Sequence, residues 1–262
     1  MKDNKNIILY VIIMEKGGKM NTNPILRNSF SERVVSLQSQ PMTVSGVMNK
    51  LGFLAILMTL SGAATWYQFS IGNIDKVNTL MYGGMIIGFI LALVASFVRK
   101  SAPYVVPLYA FAEGAFLAGM SCFFEAMFPG IVVKAVALTF LTIFGMYFLY
   151  AAKVITVTDK LRSTIITMTF ALMAFYLITW VLALFHINIP MLYSNSPLSI
   201  GFSVLVTGLA AFNLLIDFDF IEQAAQNFFP KEYEWFGAFG LLVTIVWLYV
   251  EVLRLLSKLQ KR

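Results

Sequence analysis

The chain has little charge, one histidine and one cysteine. Only 12% of its 262 residues are charged, about half the ~25% of an average soluble domain, whereas 59% are hydrophobic. A single histidine, His186, cannot build a multi-histidine metal centre, and Cys122 alone cannot form an intrachain disulfide. A chain of this length cannot enclose so much apolar surface in a water-soluble core, which leaves lipid as its solvent.

The net charge of +6 is not distributed like a nucleic-acid-binding surface. Lysine and arginine occur in the N-terminal segment, in short connections and at the C-terminus, without a continuous stripe of stacking aromatic residues. This placement suits contact with anionic lipid headgroups. The sequence therefore predicts the lipid bilayer as a partner and no nucleic acid.

Seven hydrophobic segments follow one another along the chain. Each is about 20 residues long, which is what a helix needs to cross about 30 Å of hydrocarbon. The alternating ten-residue strands of a membrane barrel are absent. Short connections indicate one antiparallel bundle, so the sequence predicts an all-α protein with seven transmembrane helices. The segments lie near 50–68, 77–98, 104–127, 131–152, 164–185, 198–220 and 236–257.

Two domains are expected: a polar, basic and flexible segment over residues 1–47, and a membrane domain over residues 48–262. Whether translation starts at Met1 or Met20 stays open, because a plausible soluble leader follows Met20. Seven lysines and arginines precede or begin the first helix, and such an excess favours the cytoplasmic side. Seven crossings would then place the basic C-terminus outside, against the same rule, so its side stays open.

Two acids lie within the last two hydrophobic segments, Asp217 in LLIDFDFIEQ and Glu251 in VWLYVEVLRLL. Ionisable groups are costly in a bilayer and are therefore candidates for function. If the two side chains approach each other, they titrate as a coupled pair and form a proton switch or an oxygen site for a cation such as Ca²⁺. The alternative is that both mark helix ends, with Glu251 paired locally to Arg254.

Three further charged residues are candidates, of which Glu113 and Asp219 rank lower as parts of a pathway. Glu113 lies near the middle of the third segment and is either a pathway residue or a structural hydrogen-bonding group. Asp219 lies about 200° around the helix from Asp217, so we expect it to face the headgroups. Arg99 ends the second segment and is either a membrane anchor or a counter-ion for an acid of the sixth or seventh helix.

At these residues the chain resembles the Bax inhibitor family, or transmembrane Bax-inhibitor-motif proteins, and is most similar to the bacterial branch. The resemblance extends over roughly Phe30 to Leu259. IDFDFI resembles the Ile-Asp-x-x-x-Ile pattern of the sixth helix and puts its aspartate at Asp217. LYVEVLRLL resembles the Leu-Tyr-Leu-Asp pattern of the last helix, with Glu251 in place of the second aspartate. FVRK puts the arginine of the second helix at Arg99.

The resemblance implies a seven-helix fold and a pH-sensitive calcium leak, with Asp217 and Glu251 as a proton and cation sensor and Arg99 as the gating counter-ion. The alternative that it implies is a non-conducting regulator of a membrane protease or a stress-response partner. Neither role needs a cofactor, and calcium is a permeant or bound ion. Because Gly-x-Gly-Asp and HExxH are both absent, we expect no enzyme. The bacterial inner membrane is the expected location, with a cytoplasmic N-terminus.

Overall fold

The computed structural model describes residues 40–185 and 196–261, except for the side chain of Arg99. These residues form seven long helices, and each is long and apolar enough to cross a membrane. The seven-helix prediction is therefore confirmed, whereas residues 1–39 and His186 lie outside the described residues. The helices are α1 (Val44–Ser70), α2 (Ile74–Phe97), α3 (Ala102–Met127), α4 (Ile131–Ala151), α5 (Asp159–Leu184), α6 (Pro197–Gln226) and α7 (Tyr233–Gln260).

Side-chain caps fix where several helices begin. The hydroxyl of Thr43 accepts a hydrogen bond from the backbone N–H of Gly46 at the start of α1. Thr158 caps α5 in the same way, and Ser196 caps α6 with a proline at the first helical position. Such caps satisfy backbone donors that the first turn leaves without partners. The helices can therefore extend past the apolar stretch into the polar region of the bilayer.

Helices α3 and α7 are the most buried of the seven. Helix α3 approaches α1 and α2 closely through small residues. A Cβ atom added at Gly114 would lie 2.2 Å from the backbone oxygen of Met58, and one added at Gly84 would lie 2.5 Å from that of Ala112. Small residues allow such close backbone contact, which helps to hold helices together in lipid.

Helix α5 is the most exposed of the seven and packs mainly on α6. Its buried Ile165 and Leu172 form a small apolar cluster with Val206 and Leu209 of α6. Much of its remaining surface carries exposed apolar side chains such as Phe170, as expected for a helix that faces hydrocarbon. The apolar attachment of α5 to the bundle is therefore limited.

The start of α1 is tied to the connection between α6 and α7. Glu234, only 2% exposed, accepts hydrogen bonds from the backbone N–H of Thr43 at 3.0 Å and from its hydroxyl at 3.2 Å. The ammonium group of Lys50 lies 2.5 Å from the other carboxylate oxygen. Helices α1 and α7 thus begin on the same side of the bundle, which we call the N-terminal side.

Candidate functional site: a polar row beside helices α5, α6 and α7

Asp217 faces the interface between α6 and α7. A Cβ atom added at Gly240 of α7 would lie 3.9 Å from its Oδ1 atom. Thr244, one turn further along α7, is a neighbour of the same carboxyl group, and its hydroxyl donates to the backbone oxygen of Gly240 at 3.2 Å. Its Oδ2 atom is buried and has no hydrogen-bond partner among the described residues. One oxygen of this acid is therefore open to a proton or a cation.

Glu251 lies at a different point of the same interface and is 2% exposed. Its Oε1 atom accepts hydrogen bonds from Arg254 at 2.9 Å and from the hydroxyl of Tyr176 at 3.2 Å. Arg254 also donates to that hydroxyl at 3.2 Å, and its guanidinium carbon lies 5.8 Å from the centre of the Tyr176 ring. The predicted local pair of Glu251 with Arg254 is confirmed, and Tyr176 of α5 completes a cluster of three side chains.

The antiparallel register keeps Asp217 and Glu251 apart. Asp217 lies beside Gly240 and Thr244, and Glu251 is seven residues after Thr244, about 10 Å further along the axis of α7. Within residues 40–185 and 196–261, no hydrogen bond joins the two acids. The direct contact on which a coupled pair depends is not seen, because each carboxyl group has its own neighbours.

Asn213 lies one turn before Asp217 on α6 and connects this helix to α5. Its amide group donates to the hydroxyl of Thr169 at 3.0 Å and to the backbone oxygen of Leu209 at 2.9 Å. The polar face that Asn213 shares with Asp217 is therefore turned toward α5 at this level. On α5, Thr169 lies seven residues before Tyr176, so both side chains lie on the face that meets α6 and α7.

Lys258 lies at the end of this interface away from the N-terminal side. It is 5% exposed, and its ammonium group donates to the hydroxyl of Ser203 at 2.8 Å and to the backbone oxygen of Ser199 at 3.4 Å. The Ser199 hydroxyl is buried without a hydrogen-bond partner in the described chain. Both partners of this lysine are uncharged.

These groups follow one another along the bundle in the order of the helix register, and we call them the polar row. They are polar or charged side chains in an apolar interior, where such groups are candidates for a proton or ion pathway. From the N-terminal side onward, the polar row consists of Asp217 with Thr244, Asn213 with Thr169, Glu251 with Tyr176 and Arg254, and Lys258 with Ser203.

Asp219 is covered by α5, and its predicted position at the headgroups stays a prediction. It is buried, with 9% exposure, and its carboxylate forms an ion pair with Arg162 of α5 and accepts a hydrogen bond from Gln223 at 2.8 Å. The helical angle correctly separates it from Asp217, but it does not reveal that α5 covers the second face. Asp219 therefore helps to attach α5, beside the polar row.

Glu113 lies between two other helices. A Cβ atom added at Gly88 of α2 would lie 3.0 Å from Oε2 of Glu113, so this carboxyl group packs between α2 and α3. Arg99 begins a short 3₁₀ turn between the same two helices, and its side chain is outside the described part. Its role as a counter-ion stays a prediction, whereas among the described side chains Arg254 forms the ion pair with Glu251.

Sequence reasoning missed the α5 and Lys258 contributions. Arg162, Thr169 and Tyr176 are spaced seven residues apart, which places three polar side chains on one face of an apolar helix and was a readable signal. Lys258 gave no such signal, because a lysine near the end of a hydrophobic segment usually reaches the interface. In the described ranges, no group of three or more His, Cys, Asp and Glu residues could hold a metal ion.

The comparisons agree with the resemblance drawn from the motifs. Neither the curated proteins nor the solved structures include a match to this chain. A protein-family model described as Bax inhibitor 1 like matches residues 23–261, which is nearly the whole sequence and includes every member of the polar row. The chain therefore belongs to the Bax inhibitor 1-like family of membrane proteins.

Proposed function

We propose that this protein is a pH-sensitive leak for cations, with calcium as the principal permeant ion, and that the polar row is the route. The observation that carries the proposal is the buried, unpartnered Oδ2 atom of Asp217 within an apolar helix interface. Family membership and the order of polar groups along the row support it. The role is non-enzymatic.

Asp217 supplies the site at which protons and cations compete. A buried carboxylate without enough partners is costly, and either a proton or a cation on the open oxygen reduces that cost. Ca²⁺ prefers oxygen ligands, and backbone oxygens and water would complete its shell as it passes. Since a proton and a cation cannot occupy the same oxygen, the leak falls as the proton concentration rises.

Glu251 has a different role, which is to keep the row closed. Its carboxylate holds Arg254 and the hydroxyl of Tyr176, so that one cluster joins α5 to α7. Loss of the negative charge at Glu251 weakens the contact with Arg254, since charge-assisted hydrogen bonds are the stronger ones. The sensor is therefore two separate acids: Asp217 accepts the ion, and Glu251 restrains its passage.

Calcium flux into liposomes that contain the purified protein tests this division of roles. A trapped calcium dye reports the rate between pH 6 and pH 8. The wild type is expected to leak less at pH 6 than at pH 8, Asp217→Asn to leak slowly with little pH dependence, and Glu251→Gln to leak faster. Glu222→Gln is the control, because Glu222 is an exposed acid on α6 outside the row.

Equal flux in the wild type and both variants across this pH range would refute the proposal. No flux at all, together with co-purification of a membrane protease or a stress-response protein, would favour the non-conducting regulator.

We also propose a bacterial inner membrane location with the N-terminus in the cytoplasm, supported by the motif resemblance and by the basic residues around the first helix. Reporter fusions at the two termini test this orientation.

A further inference from the structure

The end of the polar row away from the N-terminal side carries a buried positive charge. Among the described residues, the ammonium group of Lys258 contacts the hydroxyl of Ser203 and the backbone oxygen of Ser199. None of the three ion pairs of the described residues includes it. Within residues 40–185 and 196–261, this cation is therefore solvated by uncharged oxygen atoms and contacts no acid.

The neighbouring charges do not cancel that of Lys258. Arg254, one turn earlier on α7, is paired with Glu251, so the two offset each other. At the other end of the row, none of these three ion pairs includes Asp217, whereas Asp219 is paired with Arg162. The row therefore has a formal negative charge at one end and a formal positive charge at the other.

A fixed positive charge beside a cation pathway discriminates by valence. Coulomb energy is proportional to the charge of the passing ion, so the repulsion of Ca²⁺ is twice that of K⁺ at the same distance. Burial increases the effect, because a low dielectric and the exclusion of salt both reduce screening. Basic side chains in pores act against cations for this reason.

We propose that Lys258 is a specificity-determining residue of this leak, whose buried ammonium group restricts divalent more than monovalent cations. This inference rests on the proposed function and deepens it by assigning the selectivity to one side chain. The opposite charges at the two ends of the row add a second consequence. Cations that enter beside Asp217 meet an attractive site first and the barrier last, so current through the row depends on its direction.

The test compares the ratio of calcium to potassium flux in three variants. Lys258→Gln removes the charge, and Lys258→Arg keeps it. Lys261→Gln removes a charge of the same sign from an exposed position one turn further along, and is the matched control. Lys258→Gln is expected to raise the ratio about tenfold, and the other two to leave it within about twofold of the wild type.

Planar-bilayer recordings with protein inserted in one orientation give the second readout. Current through the wild type is expected to differ between positive and negative voltage, and Lys258→Gln is expected to make it more symmetric. Lys258→Met covers the case in which glutamine destabilises the bundle, because an unbranched apolar side chain suits the buried position. Gel filtration identifies the variants that remain folded.

The outcomes separate this inference from the function on which it rests. If the wild type conducts and Lys258→Gln and Lys258→Met both keep its flux ratio, the selectivity role of Lys258 is wrong and the leak stands. A change in Lys258→Arg as large as that in Lys258→Gln also overturns the role, since the charge is retained there. If the wild type conducts no cation under any condition, both proposals fall.

Discussion

Removal of the Glu234 carboxylate is expected to loosen the N-terminal side of the bundle. This buried acid is the common partner of the Thr43 backbone, the Thr43 hydroxyl and the Lys50 ammonium group. Lys50 also lies 5.3 Å from the centre of the Trp235 ring, so its position depends on α7 in two ways. In Glu234→Ala, the N–H of Thr43 loses its acceptor and Lys50 loses its counter-charge.

The expected loss of stability follows from these contacts. Breaking a buried ion pair by removing one partner costs about 3–5 kcal/mol when the other charge stays buried. The Lys50 side chain is 18% exposed and can turn partly toward water, so the lower part of this range applies, about 3 kcal/mol. At about 2–4 °C per kcal/mol for a chain of this size, the Tm falls by about 6–12 °C.

Thermal unfolding in detergent, followed by tryptophan fluorescence, measures this change. Glu232→Ala is the control, because Glu232 is exposed and makes no capping hydrogen bond at the start of α7. Glu234→Gln is expected to lose less than Glu234→Ala, since the amide oxygen still accepts from Thr43. A Tm of Glu234→Ala within about 2 °C of that of Glu232→Ala, less than 1 kcal/mol, would refute the reasoning.

Two further variants test the close helix contacts and the attachment of α5. Gly84→Ala places a methyl group 2.5 Å from the backbone oxygen of Ala112 and is expected to cost about 1–3 kcal/mol of stability. In the control Gly83→Ala, the added methyl group meets no atom within 4 Å, so the Tm measured in detergent is expected to change little. Tyr176→Phe removes the hydroxyl that links α5 to the Glu251 cluster, so calcium flux into liposomes is expected to rise as it does in Glu251→Gln; flux equal to that of the wild type would contradict this.

The seven helices were predictable because lipid imposes a length on each hydrophobic segment. The predicted first segment, 50–68, is shorter at both ends than α1, Val44–Ser70. Hydropathy identifies the apolar centre of a span. The ends of the helix are set by caps outside that centre, such as Thr43 before the first residue of α1. The same physical difference makes α6 longer than the predicted 198–220, since its last turns carry Glu222 and Gln223 outside the apolar stretch.

Only the contacts between residues of the same helix could be predicted at the site. The contact of Glu251 with Arg254 follows from their spacing of three residues along one helix. The positions of Asp217 and Glu251 along the bundle axis depend on the register of α6 against α7. The hydrophobic pattern of the sequence does not determine that register. The burial of Asp219 likewise depends on Arg162, which lies on another helix more than fifty residues earlier in the chain.

The attachment of α5 connects the stability of the bundle to the proposed leak. Lipid tails are as apolar as leucine, so hydrophobic burial contributes little to the association of helices within a membrane. Helix α5 has few buried apolar residues, and three polar side chains at intervals of seven, Arg162, Thr169 and Tyr176, hold it to α6 and α7. Arg162 and Tyr176 each contact an acid, Asp219 and Glu251 respectively, whereas Thr169 contacts the uncharged amide of Asn213. Of the seven helices, α5 is therefore the one whose position depends most on the charge state of the groups that it covers.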